Sequence, residues 1–164
     1  MELYLIRHGI AEEHQSGLKD EERQLTQEGR QKTKKVAQRL VKLDLHFDLI
    51  LTSPLVRARQ TAEILIAAGL SSHQEESHHL SPAGNIHNWL TDWLETKNFS
   101  PKAKLALVGH EPGLSNWAEI LVWGEAKTSL TLKKAGMIGI KLPEIGSALG
   151  RSQMFLLIPP KYLL

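Results

Sequence analysis

Two hydrophobic rhythms alternate along the chain. Leu3-Tyr4-Leu5-Ile6, Asp48-Leu49-Ile50-Leu51 and Lys104-Leu105-Ala106-Leu107-Val108 are short apolar runs, each closed abruptly by polar or turn-forming residues. Runs of that length bounded by turn signals read as buried strands. Between and after them, apolar residues recur at helical spacing. Thr33, Val36, Ala37, Leu40 and Val41 form one such stripe, in a helix opened by Leu25-Thr26-Gln27-Glu28 with Thr26 as N-cap. Leu55, Ala58, Ala62, Leu65 and Ile66 form a second, with Ser53 and Pro54 as an N-cap and N1 pair and a stop near Gly69. Ile86, Trp89, Leu90, Trp93 and Leu94 mark a third helix, and Leu114, Trp117, Ala118, Leu121 and Val122 a fourth. At this spacing the tryptophans read as core.

Two stretches carry no apolar period. Glu12 to Gln24 reads as a loop placed to border whatever follows Ile6, and Ser71 to Ala83 as a polar loop rich in histidine and glutamate. Beyond Gly124 the helical rhythm gives way to strand-like runs at Met137 to Leu142 and Gln153 to Ile158, separated by a Gly/Ser turn region. Strands alternating with amphipathic helices predict an α/β domain, because parallel strands need crossover helices. The expected architecture is a three-layer sandwich, a mostly parallel central sheet flanked by helices, with residues 1–164 as one domain.

Composition narrows the function classes. Lys and Arg number 20 against 18 Asp and Glu, interspersed rather than in blocks, so neither a nucleic-acid arm nor an acidic tail is expected. The absence of cysteine removes thiolate catalysis, thiolate metal sites and disulfides. No apolar stretch approaches the ~20 residues of a membrane span, and charge interrupts the first residues too soon for a signal sequence. The expectation is a soluble cytoplasmic protein with no membrane or nucleic-acid partner.

The candidate chemistry sits where the strands end. In open α/β sheets ligands bind beyond the carboxyl ends of the strands. If the three runs are parallel neighbours, Arg7-His8-Gly9, Thr52-Ser53-Pro54 and Gly109-His110-Glu111 gather at one edge, with Arg57 one helical turn behind Ser53. Arginine forks and helix N-terminal amides suit a phosphoryl group, and a neutral histidine held through one ring nitrogen can attack through the other. His8 is the candidate nucleophile. Arg7, Arg57 and His110 are the candidates for charge neutralisation, with Ser53 and Gly9 as further phosphate contacts.

These motifs also resemble a known family. Arg7-His8-Gly9, Leu25-Thr26 with Gly29, Thr52-Ser53-Pro54-Leu55-Val56-Arg57-Ala58 with Thr61-Ala62, Leu80-Ser81-Pro82 and Val108-Gly109-His110 together look like the histidine phosphatase (phosphoglycerate mutase-like) superfamily. The resemblance runs in order over nearly the whole chain. It implies that His8 becomes phosphorylated, that Arg7, Arg57 and His110 form the phosphate pocket, and that neither metal nor cofactor is required.

The small size and lack of long insertions look like the compact bacterial branch, the SixA-type protein-histidine phosphatases. That likeness implies a phosphohistidine-containing phosphotransfer protein as partner. Larger members use a mid-chain carboxylate as general acid, and here only Glu75 and Glu76 stand nearby, without a clear motif match. A phosphoramidate tolerates that lack better than an ester, because a leaving imidazole takes its proton from solvent. The alternatives are a small-molecule phosphomonoesterase using Glu75 or Glu76, and a non-catalytic domain that binds phosphorylated partners. His14 and His46 read as surface histidines. His73, His78, His79 and His87 lack metal-ligand spacing with a partner carboxylate. Glu111 reads as a helix N-terminal carboxylate close enough to orient His110.

Overall fold

Burial on both faces shapes the centre of the molecule. In the computed structural model, which describes residues 1–164, β1 (Glu2–Arg7), β2 (Leu49–Thr52) and β4 (Lys104–Gly109) are apolar along both faces. Together with β3 (Gln74–Glu76), β5 (Met137–Lys141) and β6 (Gln153–Ile158) they build a six-stranded sheet in the order β3-β2-β4-β1-β5-β6. The first four strands run parallel, and β5 and β6 are antiparallel additions.

Four helices cover the two faces: α1 (Gln27–Lys42), α2 (Val56–Ala67), α3 (Ile86–Asp92) and α4 (Gly113–Trp123). The side-chain period of 2 along a strand assigns each residue its layer. Tyr4 and Ile6 of β1 pack with Val36, Ala37 and Leu40 of α1 and Ala58, Ala62 and Leu65 of α2. Leu3 and Leu5 face the other way, onto Trp89 and Leu90 of α3 and Leu114, Trp117 and Leu121 of α4. Each such leucine or isoleucine contributes about 1.5–3 kcal/mol by leaving water. Trp89 is fully buried and lies 5.6 Å, centroid to centroid, from both Trp93 and Trp117, so it belongs to the core.

The chain order places a crevice. The connection after β1 passes to the α1/α2 face, whereas the connection after β4 passes to the α3/α4 face. Neighbouring strands whose connections leave on opposite faces form a topological switch point. Here it lies at the carboxyl ends of β1 and β4.

Two local expectations need correction. Residues 71–83 are not all loop, because Gln74–Glu76 adds an edge strand to β2. Ser53 does not cap α2, which begins at Val56 with Leu55 at its N-cap. The Ser53 Oγ accepts the Leu55 N–H at 3.2 Å but stays outside the helix. Thr26 does cap α1, its hydroxyl accepting the Gly29 N–H at 2.9 Å.

Gly29 lets α1 approach the segment after β1. A Cβ there would lie 2.1 Å from the Ile10 carbonyl oxygen, a backbone atom that cannot swing away. Gly29→Ala is expected to lower stability by about 1–3 kcal/mol through overpacking, read as an earlier midpoint in denaturant unfolding.

Candidate active site

Strand register brings the sequence-distant residues together. Arg7 pairs with Gly109 across β1 and β4, and Thr52 pairs with Val108 across β2 and β4. One residue further on, the His8 N–H donates to the Gly109 carbonyl at 3.1 Å, and the Ser53 N–H to the Val108 carbonyl at 2.9 Å. His8, Ser53 and His110 therefore emerge side by side, and Arg57 reaches them from the first turn of α2. The His8 and His110 rings lie 5.2 Å apart.

His8 is built as a neutral base. Its Nδ1 lies 2.7 Å from its neighbour Gly9's carbonyl oxygen, which can only accept, so Nδ1 carries the proton. Arg57 Nε donates to His8 Nε2 at 3.3 Å, which places the lone pair on Nε2. Burial pushes the His8 ring down to about 3, with His110, Arg57 and Arg7 adding to the shift against the Gly9 hydrogen bond. Burial and the field of Arg57 likewise lower His110 to about 4. Both rings are uncharged at neutral pH, and His8 presents its Nε2 electron pair to the Arg57 guanidinium.

The arginines are held by partners that sequence patterning did not identify. Arg57 donates to the Asp20 carbonyl at 2.8 Å and to the Asp20 carboxylate at 3.2 Å. Arg23 Nε donates to the other Asp20 oxygen at 2.9 Å. Burial pushes the Asp20 carboxyl up, but these two guanidiniums outweigh it and hold Asp20 below its ordinary value. Arg7 donates to the Leu132 carbonyl at 3.0 Å. The only local signal for the Asp20–Arg23 pair is its i, i+3 spacing, within a polar segment without period.

Arg7, His8, Arg57 and His110 line one solvent-open cavity of about 340 Å³, together with His14, Asp20, Arg23, Glu111 and Lys134. The 12–24 loop does border the site, and His14 belongs to its rim, with Nε2 3.7 Å from Asp20. Glu111 is fully engaged: it accepts from the Ser115 N–H at 2.9 Å, the Ser115 hydroxyl at 2.6 Å and the Leu132 N–H at 3.2 Å. A larger cavity of about 540 Å³ lies at the other ends of the strands, against Met1 and Leu142, and contains none of these groups.

Four expected residues lie elsewhere. Ser53 is fully buried behind the pocket, and its Oγ lies 2.8 Å from His110 Nε2, so it orients that ring. The Gly9 N–H donates to the Thr61 hydroxyl at 3.0 Å and is unavailable to an anion. Glu75 and Glu76 are exposed on the edge strand, where Glu76 lies 3.6 Å from Arg59, and neither reaches the pocket. Backbone pairing with β2 holds them there.

Neutral buried histidines have a consequence for pH. Unfolded rings bind protons below about pH 6.5, whereas folded His8 and His110 do so only near 3 and 4. Unfolding therefore takes up protons in this window, and stability falls as pH drops from 6.5 towards 4. Imidazole nitrogen NMR is expected to show both rings neutral at pH 5.5, and His8→Gln to flatten the decline of unfolding free energy with acid.

Residues 3–79 match the family model described as histidine phosphatase superfamily (branch 1). An uncharacterized protein of Picosynechococcus sp. strain PCC 7002 is 49% identical over 165 residues, covering 100% of this chain and 99% of that one. Among solved structures, the protein histidine phosphatase SixA complexed with tungstate superposes with a TM-score of 0.83 at 24% identity, over 100% of both chains. The alpha-ribazole phosphatase of Shigella flexneri gives a TM-score of 0.72 at 18% identity, over 98% of this chain and 97% of that one. The sheet and its helices thus have the phosphoglycerate mutase-like fold. By motif, by fold and by the residues gathered at the ends of β1, β2 and β4, this chain is a member of the histidine phosphatase superfamily.

Proposed function

We propose that this phosphatase removes the phosphoryl group from histidine on a phosphotransfer protein, through a phospho-His8 intermediate and without a metal. In the first step His8 Nε2 attacks phosphorus in line, and the N–P bond to the substrate imidazole breaks. That imidazole takes its proton from solvent. In the second step water attacks phospho-His8, releasing inorganic phosphate and restoring the neutral ring. Arg7 and Arg57 offset the charge on the equatorial oxygens, the contribution that phosphoryl transfer chiefly asks of a protein.

One observation carries the choice of substrate: neither carboxylate in the pocket is free to protonate a leaving group. Asp20 is held ionised by Arg23 and Arg57, and both Glu111 oxygens accept N–H or O–H donors. A general acid is worth about 10²–10⁴-fold, and an alkoxide needs it far more than an imidazole does. Access points the same way. Of the 71–83 segment only Pro82 lines the cavity, so that segment does not close it against a histidine displayed on a protein surface. The alpha-ribazole phosphatase neighbour keeps the alternative of a small-molecule phosphomonoesterase in view.

Incubation with a phosphohistidine-bearing phosphotransfer domain is expected to release phosphate, with a chelator leaving the rate unchanged. The rate on that domain is expected to exceed that on a sugar phosphate by about 10²-fold or more, the scale of a missing acid. His8→Ala is expected to lose about 10³-fold or more in kcat. Rapid quenching in base is expected to trap phosphate on His8. Faster turnover of the sugar phosphate would replace the protein substrate with a small one.

A further inference from the structure

The segment between α4 and β5 is fastened to the site at one point after another. Glu119, fully buried, accepts the backbone N–H groups of Lys127, Ser129 and Leu130, the last two at 2.7 Å. Burial pushes its carboxyl up, but these donors outweigh that and hold it below its usual range, as an anion. Leu132 is gripped at both ends, its N–H by Glu111 at 3.2 Å and its carbonyl by Arg7 at 3.0 Å. Next comes a tight turn in which the Gly136 N–H donates to the Lys133 carbonyl at 2.8 Å. Within it the Ala135 N–H is shared between the carbonyls of Arg7 at 3.0 Å and His8 at 3.2 Å.

Ala135 has φ 62°, a left-handed conformation that a residue with a Cβ adopts at a cost. The strain is sustained by the two carbonyls of the catalytic strand end. Its effect is to fix the backbone of the preceding residue, Lys134. Lys134 is the one lysine lining the His8 cavity, is exposed, and lies within ion-pair distance of no carboxylate. The pocket's other cations have partners: Arg23 and Arg57 share Asp20, and Arg7 holds Leu132.

We propose that Lys134 is a specificity residue, contacting a second anionic group that the substrate carries beside the phosphoryl group being transferred. This rests on the phosphoryl-site reading of the cavity. On a phosphotransfer protein the group is a carboxylate flanking the phosphohistidine; on a small substrate it is a carboxylate of the same molecule. A lysine suits that role, being a flexible point charge on a long stem, whereas the planar forks of Arg7 and Arg57 match the phosphoryl oxygens.

The test uses the full chain and three probes: 2-phosphoglycolate, ethyl phosphate and inorganic phosphate. The first two differ in a carboxylate against a methyl group. Wild type is expected to bind 2-phosphoglycolate about fivefold more tightly than ethyl phosphate, the scale of a solvent-exposed ion pair. Lys134→Met is expected to erase that preference while leaving inorganic phosphate binding and thermal stability unchanged, and Lys134→Arg to restore most of it. A preference that survives Lys134→Met, or is absent from wild type, overturns the proposal. So does an equal loss on all three probes, which would place Lys134 on the transferred phosphoryl group itself. If wild type binds none of the three, the phosphoryl-site reading falls first and this proposal with it. A second arm distinguishes the source: phosphohistidine peptides with Asp or Asn beside the modified residue are expected to separate in KM for wild type and to converge for Lys134→Met.

Discussion

Excluding water from an uncharged imidazole beside guanidinium groups is the constraint from which the rest of the site follows. A solvated His8 would be protonated over part of the physiological range and would then have no electron pair to offer. Burial and the nearby arginines remove that possibility, and the Gly9 carbonyl selects the tautomer that leaves Nε2 unprotonated, facing Arg57. The fold meets the demand by ending β1 between β4 and β5, with His8 only 6% exposed. The parallel register then delivers His110 and Ser53 to the same level. The central pairing of β1 with β4 thus serves both stability and the placement of two neutral rings side by side.

The site has two tiers. One touches the cavity: His8, Arg7, Arg57 and His110. Behind it stand groups that act through these. Ser53 orients His110, Thr61 takes the Gly9 N–H, Asp20 spans two arginines, and the Leu132 carbonyl holds Arg7. Precise placement of reacting groups depends on such supporting contacts. Ser53 and Leu132 come from loops, Asp20 from a short 3-10 turn and Thr61 from α2, whereas the side chains that line the cavity come from strand ends and the first turn of a helix.

That division explains how much of the molecule was legible in the sequence. The helices with apolar stripes and the buried strands follow from periodicity, because packing against a two-faced sheet imposes it. The convergence of Arg7, His8, Arg57 and His110 follows from the rule that loops after parallel strands meet at one edge. Strand β3 escaped because it is three residues long, polar and at an edge, so neither burial nor alternation marks it. Asp20 escaped because its partner Arg57 is distant in sequence and meets it only in three dimensions, and Arg23 because its i, i+3 pairing with Asp20 lies in a polar segment without period. Ser53-Pro54 misled for a definite reason: the serine hydroxyl does accept a backbone N–H, but that of Leu55, the residue just before the helix starts.

Asp20 carries one further consequence, for the charge that an entering anion meets. Arg57 already donates to the Asp20 carboxylate and to that residue's main-chain carbonyl, so a phosphoryl group entering the cavity would meet a guanidinium screened by an internal anion instead of an unscreened positive hole. Screening of this kind lowers the attraction for any dianion, entering or leaving. The Asp20 carboxylate thus tempers the charge of the cavity from within the chain, and the guanidinium that faces an incoming anion is one already paired.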